Sequence, residues 1–467
     1  MSTLSPAAAR APFEPRELER ELLARCQSLT ERALASGAAE AETFGTRSKS
    51  IGVRFEKGDL KLTQVDDGST LGLRVFRDKR LGFASTNQAD ERSLATTARD
   101  ALDLASFARP DEHNRLPAPR PVTALAPLVE PALAALTVEE AVELGRAFVA
   151  RVRALDPRIS VDNAGFDVAC VTHAIAASTG VALAESDAQA SFSVFGMAVD
   201  GEDVGGFHYD GDALRRLVDL EPALDRVARD FVDVSVGNLR AGTAESYRGP
   251  VLFAPDAFVE VFVAPLLSAA SAIAVQRKRS PLAGKLGEAV AAPVLEIVDD
   301  PHERTLAGAG AFDREGQPTA RTPLVERGVL RTFLYNGYAA AVEGRASTGH
   351  AKGGARGVPG LGVHAVSIGG GRGGDRDAML ARLGRGLFVQ RFSGTIDPAS
   401  GDFSGVAKSA RWVEGGRVVR SLKETLLSGN AFALLKEMTE LSTTRERLSG
   451  SALAPFALVD GVSVTAG

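Results

Sequence analysis

The stretch VLFAPDAFVEVFVAPLLSAASAIAVQRKRSPLAGKLGE, residues 251–288, constrains this chain more than any other. It is the densest apolar run in the sequence. It reads as a buried strand at 251–254, a Pro-Asp helix start, a long apolar helix and a basic exit, QRKRS. The longest uncharged apolar segment, 261–276, is broken by Pro265 and too short to cross a bilayer. Such a helix has to be buried by the rest of the chain, and the glycine-rich half that follows is the material available. Between Pro250 and Pro301 there is no histidine and no cysteine, so the helix carries no nitrogen or sulfur ligand of the kind a catalytic metal needs.

The chain in order supplies two kinds of surroundings for it. Residues 1–13 read as a disordered tail. Residues 14–36 carry leucine and alanine at helical spacing and end at Gly37, giving an amphipathic helix. From Ala41 to Thr86 the period drops to two, a meander with turns at Lys57-Gly58 and Asp67-Gly68. Residues 87–107 read as a helix, and the prolines of 110–131 as an extended connector. Thr137 and Glu140 form a capping-box pattern for a helix reaching about residue 155. A second meander follows over 159–210, then a helix over 212–234. The repeated helix–meander–helix order suggests a loose duplication within 14–240.

Beyond 240 the composition shifts. Strands are expected at 294–298, at 324–334 around an Arg327-Gly328 turn, and at 387–392. Glu414-Gly415-Gly416 repeats the same turn device. Helices are expected at 375–383 and, as the last long element, at 430–448. The expected architecture is α+β in two domains. Residues 14–240 would combine helices with antiparallel meanders, and 241–467 would be β-rich around the buried helix. A chain of 467 residues exceeds what one core usually serves.

Function classes narrow by exclusion. A net charge of −5 argues against nucleic acid as a partner. Two cysteines, Cys26 and Cys170, cannot build a disulfide framework. With no apolar signal-type segment at the start, they point to a cytoplasmic protein without membrane contact. No His-Glu-x-x-His or G-x-S-x-G motif occurs. His302 sits in a polar turn, and His350 and His364 sit in glycine-rich loops at no metal-ligand spacing. Ser347 and Thr348 before His350 could form an acid–base pair or simply shape a loop. The run GGGRGG at 369–374 lacks the features of a phosphate cradle.

Several stretches together resemble one family. They are LGLRVF at 71–76 and GFAST at 82–86, then FDREG at 312–316 and ERGVL at 326–330. RASTGHA at 345–351, SGDFS at 400–404 and Gly429-Asn430 complete the set. The chain resembles the TldD/TldE (PmbA) family, once called modulators of DNA gyrase. The resemblance covers most of its length. Its TldD branch carries a His-Glu-x-x-x-His zinc motif on the helix after the strand at 251–254, and a cysteine ligand near the C-terminus. The matching positions here, 263–268, read VAPLLS, and no cysteine follows Cys170. The RKR run before Ser280 and the RASTGHA run are similar to the TldE/PmbA branch. That resemblance implies a zinc-free subunit without a cofactor of its own. Its partner would be a TldD-type zinc peptidase chain, in a heterodimer that cleaves unfolded or extended peptides. Ser347, Thr348, His350, Asp402 and Phe403 are the residues it implies for shaping a peptide-binding cleft. Two other readings stand beside it: a peptide-binding or scaffold protein with no zinc partner, and an independent hydrolase built around His302, His350 or His364.

Overall fold

A computed structural model describes residues 13–423 and 425–466; the expected tail over 1–12 lies outside the described residues. The first half is α1 (Pro15–Ala35), β1 (Glu40–Glu56), β2 (Asp59–Arg77), β3 (Arg80–Thr86), α2 (Glu91–Phe107) and the short α3 (Pro131–Ala134). It continues through α4 (Val138–Leu155), β4 (Ile159–Ala177), β5 (Ala182–Asp200), β6 (Asp203–Val204), β7 (His208–Leu214) and α5 (Leu220–Gly237). The capping box forms as the sequence requires, with Thr137 and Glu140 each satisfying the other's free amide.

The two meanders are halves of one seven-stranded sheet in the order β3-β2-β1-β4-β5-β6, with β7 also on β5. They join where β1 and β4 pair antiparallel from Glu42↔Ala177 to Glu56↔Asn163. Alternation decides what each face meets. Ala41, Val53 and Phe55 of β1 and Phe166, Val168 and Ala174 of β4 belong to the cores under α1, α2, α4 and α5. Glu42, Phe44, Arg74 and Ile175 point the other way, toward the second half of the chain.

Two turn expectations change. Lys57-Gly58 does turn the β1–β2 hairpin, with φ of 53° and 89°, the positive values that a two-residue turn demands. Asp67-Gly68 does not turn: β2 runs straight through it, Gly68 opposite Ser48. The next reversal falls at Asp78-Lys79, both at positive φ. The helix expected from 212 begins only at Leu220, because residues up to Leu214 pair with β5.

The second half rests on a thirteen-stranded mixed sheet. Strand Tyr247–Phe253 leads into a composite helix: Pro255–Phe258, a π-helical turn Val259–Val263, then Ala264–Ala269. Pro265 has no N–H to give the carbonyl of Val261, and its ring crowds that carbonyl, so the helix widens just ahead of it. Phe258, Val261, Phe262 and Val263 are fully buried in the main core. The long helix expected over 430–448 is a correction. Asn430 caps a single turn, Ala431–Leu434, and Met438–Leu448 is a strand along Ala452–Ala466. The run TELSTT carries too many β-branched residues for a helix interior and finds a ready partner strand. The fold is α+β, with no helix among the described residues long and apolar enough to cross a membrane.

The halves are docked by buried charge. Arg74 reaches Glu42 at 2.7 Å and Glu315 at 2.9 Å, and Arg314 reaches Glu42 at 2.9 Å. Arg314 also lies 4.1 Å over the Phe44 ring. Burial pushes the Glu42 carboxyl up, but Arg74 and Arg314 outweigh it and hold the group below its ordinary range. The proline-rich connector is strapped to the second half as well: Arg120 donates to Ser347 O and Tyr338 to Asp111.

Candidate cleft at the end of the composite helix

The far end of the composite helix opens into a cleft of about 490 Å³. Leu267 and Ser268 come from the helix, and Ile273, Ala274, Arg277 and Arg279 from the turn of helix after it. Leu334, then Leu361, Gly362 and Val363, and finally Pro398 and Ala399 close the other sides. The lining is mainly apolar, with Ser268, Ser271 and two guanidinium groups but no carboxylate. Neither Arg277 nor Arg279 makes a side-chain hydrogen bond or ion pair among the described residues.

None of the five residues expected at the site lines this cleft; they lie in the shell behind it. Ser347 Oγ and Thr348 Oγ1 both donate to Tyr335 O, at 3.0 and 3.1 Å, and Tyr335 N–H donates to Thr348 Oγ1 at 2.8 Å. That fixes the segment carrying Leu334, whose N–H donates to Ala270 O. His350 accepts the Gly362 N–H on its carbonyl, and its ring is 1% exposed. Asp402 holds the opposite loop. Its carbonyl accepts the Asp397 N–H, its carboxylate accepts from Ser400 Oγ at 3.0 Å and from Asn430 Nδ2 at 2.9 Å, and Ala399 lies on that loop. Phe403 is buried edge-on against Phe262 of the π turn. Ser347, Thr348 and His350 are thus together on one wall, and Asp402 and Phe403 on another.

Around His350 the structure builds a buried knot. Asp299 accepts the backbone N–H groups of His364 and Ala365 at 2.6–3.0 Å. His350 Nε2 lies 3.1 Å from Asp299 Oδ2, poorly aligned for a hydrogen bond, and His350 Nδ1 lies 2.8 Å from Thr348 Oγ1. His364 Nε2 donates to Gly349 O at 2.7 Å. Burial, helped by Lys352, pulls the His364 imidazole down to about 4. Thr348, His350 and Asp299 form a hydroxyl–imidazole–carboxylate chain, but the hydroxyl is committed to Tyr335. His302 is exposed on a separate turn.

The positions at which the resemblance to the TldD branch implies a zinc motif hold Val263, Ala264, Pro265, Leu266, Leu267 and Ser268. Val263 and Leu266 are core residues, and Ser268 alone presents a polar side chain to the cleft. These residues do not fit a zinc ion. Among the described residues, no three His, Cys, Asp or Glu side chains gather to hold a metal. Sequence reasoning missed Ser268, Arg277, Arg279, Leu361 and Val363 as lining. The one available signal was the basic run QRKRS directly after an apolar helix, which reads equally well as a solvated helix end.

Three family models match the chain: PmbA/TldA metallopeptidase domain 1 over residues 41–105, the central domain over 131–239 and the C-terminal domain over 246–466. Metalloprotease PmbA of Escherichia coli O157:H7 is 27% identical over 456 residues, covering 95% of this chain and 97% of that protein. The metalloprotease PmbA homolog of Haemophilus influenzae is 26% identical over 92% of this chain and 93% of its own length. The crystal structure of TldE from Thermococcus kodakarensis superimposes with a TM-score of 0.86 at 25% identity, covering 94% of this chain and 100% of that one. The FDREG and LGLRVF stretches, remote in sequence, supply the two sides of the buried ionic dock. With the matches spanning both halves, this chain belongs to the TldD/TldE (PmbA) family.

Proposed function

We propose that this chain is the zinc-free subunit of a heterodimeric peptidase, giving wall and peptide-holding surface to the zinc site of a TldD-type partner. The observation that carries this reading is the cleft. It lies at the end of the helix on which the resemblance implies the TldD-branch zinc motif, and its lining is mainly apolar with no histidine, cysteine or carboxylate. An extended chain held through its main chain tolerates many side-chain sequences. Leu267, Ile273, Leu334 and Pro398 exclude water around it. Ser347, Thr348, His350, Asp402 and Phe403 shape the cleft from behind by fixing the segments that line it. The two buried thiols, Cys26 and Cys170, suit a reducing cytoplasmic compartment.

The test is reconstitution. The purified chain is assayed for bound metal and for cleavage of an unfolded casein substrate, alone and mixed with the TldD-type protein of its host. Activity that appears only in the mixture, with the metal on the partner, supports the reading. Stoichiometric zinc and cleavage by the isolated chain overturn it.

A further inference from the structure

Strand β2 is longer than the strands that cover it. β1 pairs along its whole length on one side, but on the other side β3 pairs only with residues 71–77, from Leu71↔Thr86 to Arg77↔Arg80. Over residues 59–70 the outer edge carries no strand among the described residues, and apart from the ladder with β1 no backbone hydrogen bond ties it to another of them. Residues 59–68 are exposed throughout, with Leu60 at 39%, Leu62 at 51% and Val65 at 46%. An open strand edge is a template for a further strand, and natural chains blunt one with proline, charge, a bulge or a covering element. This edge, DLKLTQVDDGST, has neither proline nor cover.

Its charges are laid out by direction. Lys61 stands toward the turn, as the extra residue of a bulge between Leu60, opposite Phe55, and Leu62, opposite Arg54. Asp66 and Asp67 stand toward β3. Lys61 reaches Glu56 at 2.8 Å and Asp67 reaches Arg47 at 3.1 Å, all four side chains being partly or largely exposed. Asp66 accepts from Gln64 Nε2 at 2.8 Å and has no cation at ion-pair distance among the described residues.

We propose that this edge pairs with the same edge of a second copy of the chain, antiparallel about a two-fold axis at Gln64, joining two seven-stranded sheets into one. Such an axis sets one residue opposite itself, so the open length allows few centres. Centred on Val65, Asp59 of the second copy falls opposite Leu71, whose outer side β3 already holds. Centred on Thr63, Asp59 falls opposite Asp67, like charge on like. Centred on Gln64, the second copy's Lys57-Gly58 turn arrives where β3 begins, and Thr63 faces Val65. Lys61 of each copy then comes within reach of Asp66 and Asp67 of the other. The obstruction by β3 and the charges select the same register. No cleft-lining residue takes part.

The experiment is cross-linking of the isolated full chain. Gln64→Cys sets two thiols at the axis, where opposed Cα atoms lie about 4.5–5.5 Å apart, a separation a disulfide spans. The native thiols, Cys26 and Cys170, are buried. Mild oxidation is expected to give a covalent dimer from Gln64→Cys and none from Leu60→Cys, which the register holds about 26 Å from its own counterpart. Sedimentation velocity is expected to show a concentration-dependent dimer. Lys61→Asp is expected to weaken it by about tenfold, through like charges on both sides of the axis, and Asp66→Lys added to it to restore it. A monomer at all concentrations up to about 100 μM, a dimer that Gln64→Cys does not lock, or equal cross-linking from Leu60→Cys overturns the proposal. Maleimide labelling of Gln64→Cys that is blocked only by a TldD-type protein gives the edge to that partner and overturns it too. The cross-linking uses this chain alone, so its failure leaves the heterodimer reading standing, and the converse holds.

Discussion

Arg74 is the residue on which docking of the two halves turns. Its guanidinium joins Glu42, directly across the sheet, to Glu315, which is 241 positions away in the chain. Removing one member of a buried ion network strands the others without counter-charge. Arg74→Met is therefore expected to destabilise the protein by about 3–5 kcal/mol, measured by urea unfolding. Asp210 governs a pH dependence of known sign. Its native pKa, about 8, lies above the roughly 3.9 of an unfolded chain. The native state therefore holds a proton that the unfolded state has lost, and stability falls as pH rises from about 4 through about 8. His208 works in reverse: burial takes it down to about 3, so its contribution is present above about 6.5 and is lost as pH falls toward 3. Asp210→Asn is expected to flatten the loss of stability between about pH 4 and 8, read from unfolding midpoints across that range.

At the scale of elements, one glycine and one proline set positions that side-chain patterning does not. A Cβ on Gly72 of β2 would stand 2.0 Å from Ala355 O, across the face that meets the second half. Gly72→Ala is expected to cost about 1–3 kcal/mol by overpacking and to quicken proteolysis of the connector at 110–131. An unchanged digestion pattern and thermal midpoint would refute the close docking of that face. Pro265 widens the helix into its π turn at the position where Phe262 meets Phe403. The hairpin turns divide in legibility. Lys57-Gly58 is readable from its glycine. Asp78-Lys79 is not, because two non-glycine residues are held at positive φ by the pairing of β2 with β3. Asp67-Gly68 shows the converse, a turn signal overridden by a long strand.

Two of the molecule's recesses lie at opposite ends of one buried helix, one mainly apolar with arginines and the other charged in both signs. If the apolar cleft holds peptide in an assembled peptidase, reversing its charge should matter. Arg277→Glu combined with Arg279→Glu is expected to lower kcat/KM of the reconstituted complex by about tenfold or more for peptides with acidic residues, and far less for basic ones. Equal losses for both substrates, or none, would remove the arginines from substrate recognition.

Much of this was written locally. The helical and two-residue periods, the Thr137–Glu140 box and the missing donors at 263–268 are properties of short windows of sequence, because propensity, capping and ligand chemistry act over a few residues. Those windows determined the α+β character and the exclusion of a self-sufficient zinc helix. Other features only the tertiary structure decided. They include the merger of two meanders through β1 and β4, the strand at Met438–Leu448 where a helix was expected, and the retreat of His350 behind the cleft it supports. The meeting of Arg74 with Arg314 and Glu315 belongs with them. Alternation tells which residues share a face, but what that face meets depends on contacts hundreds of residues apart, where partner strands and counter-charges outweigh local preference.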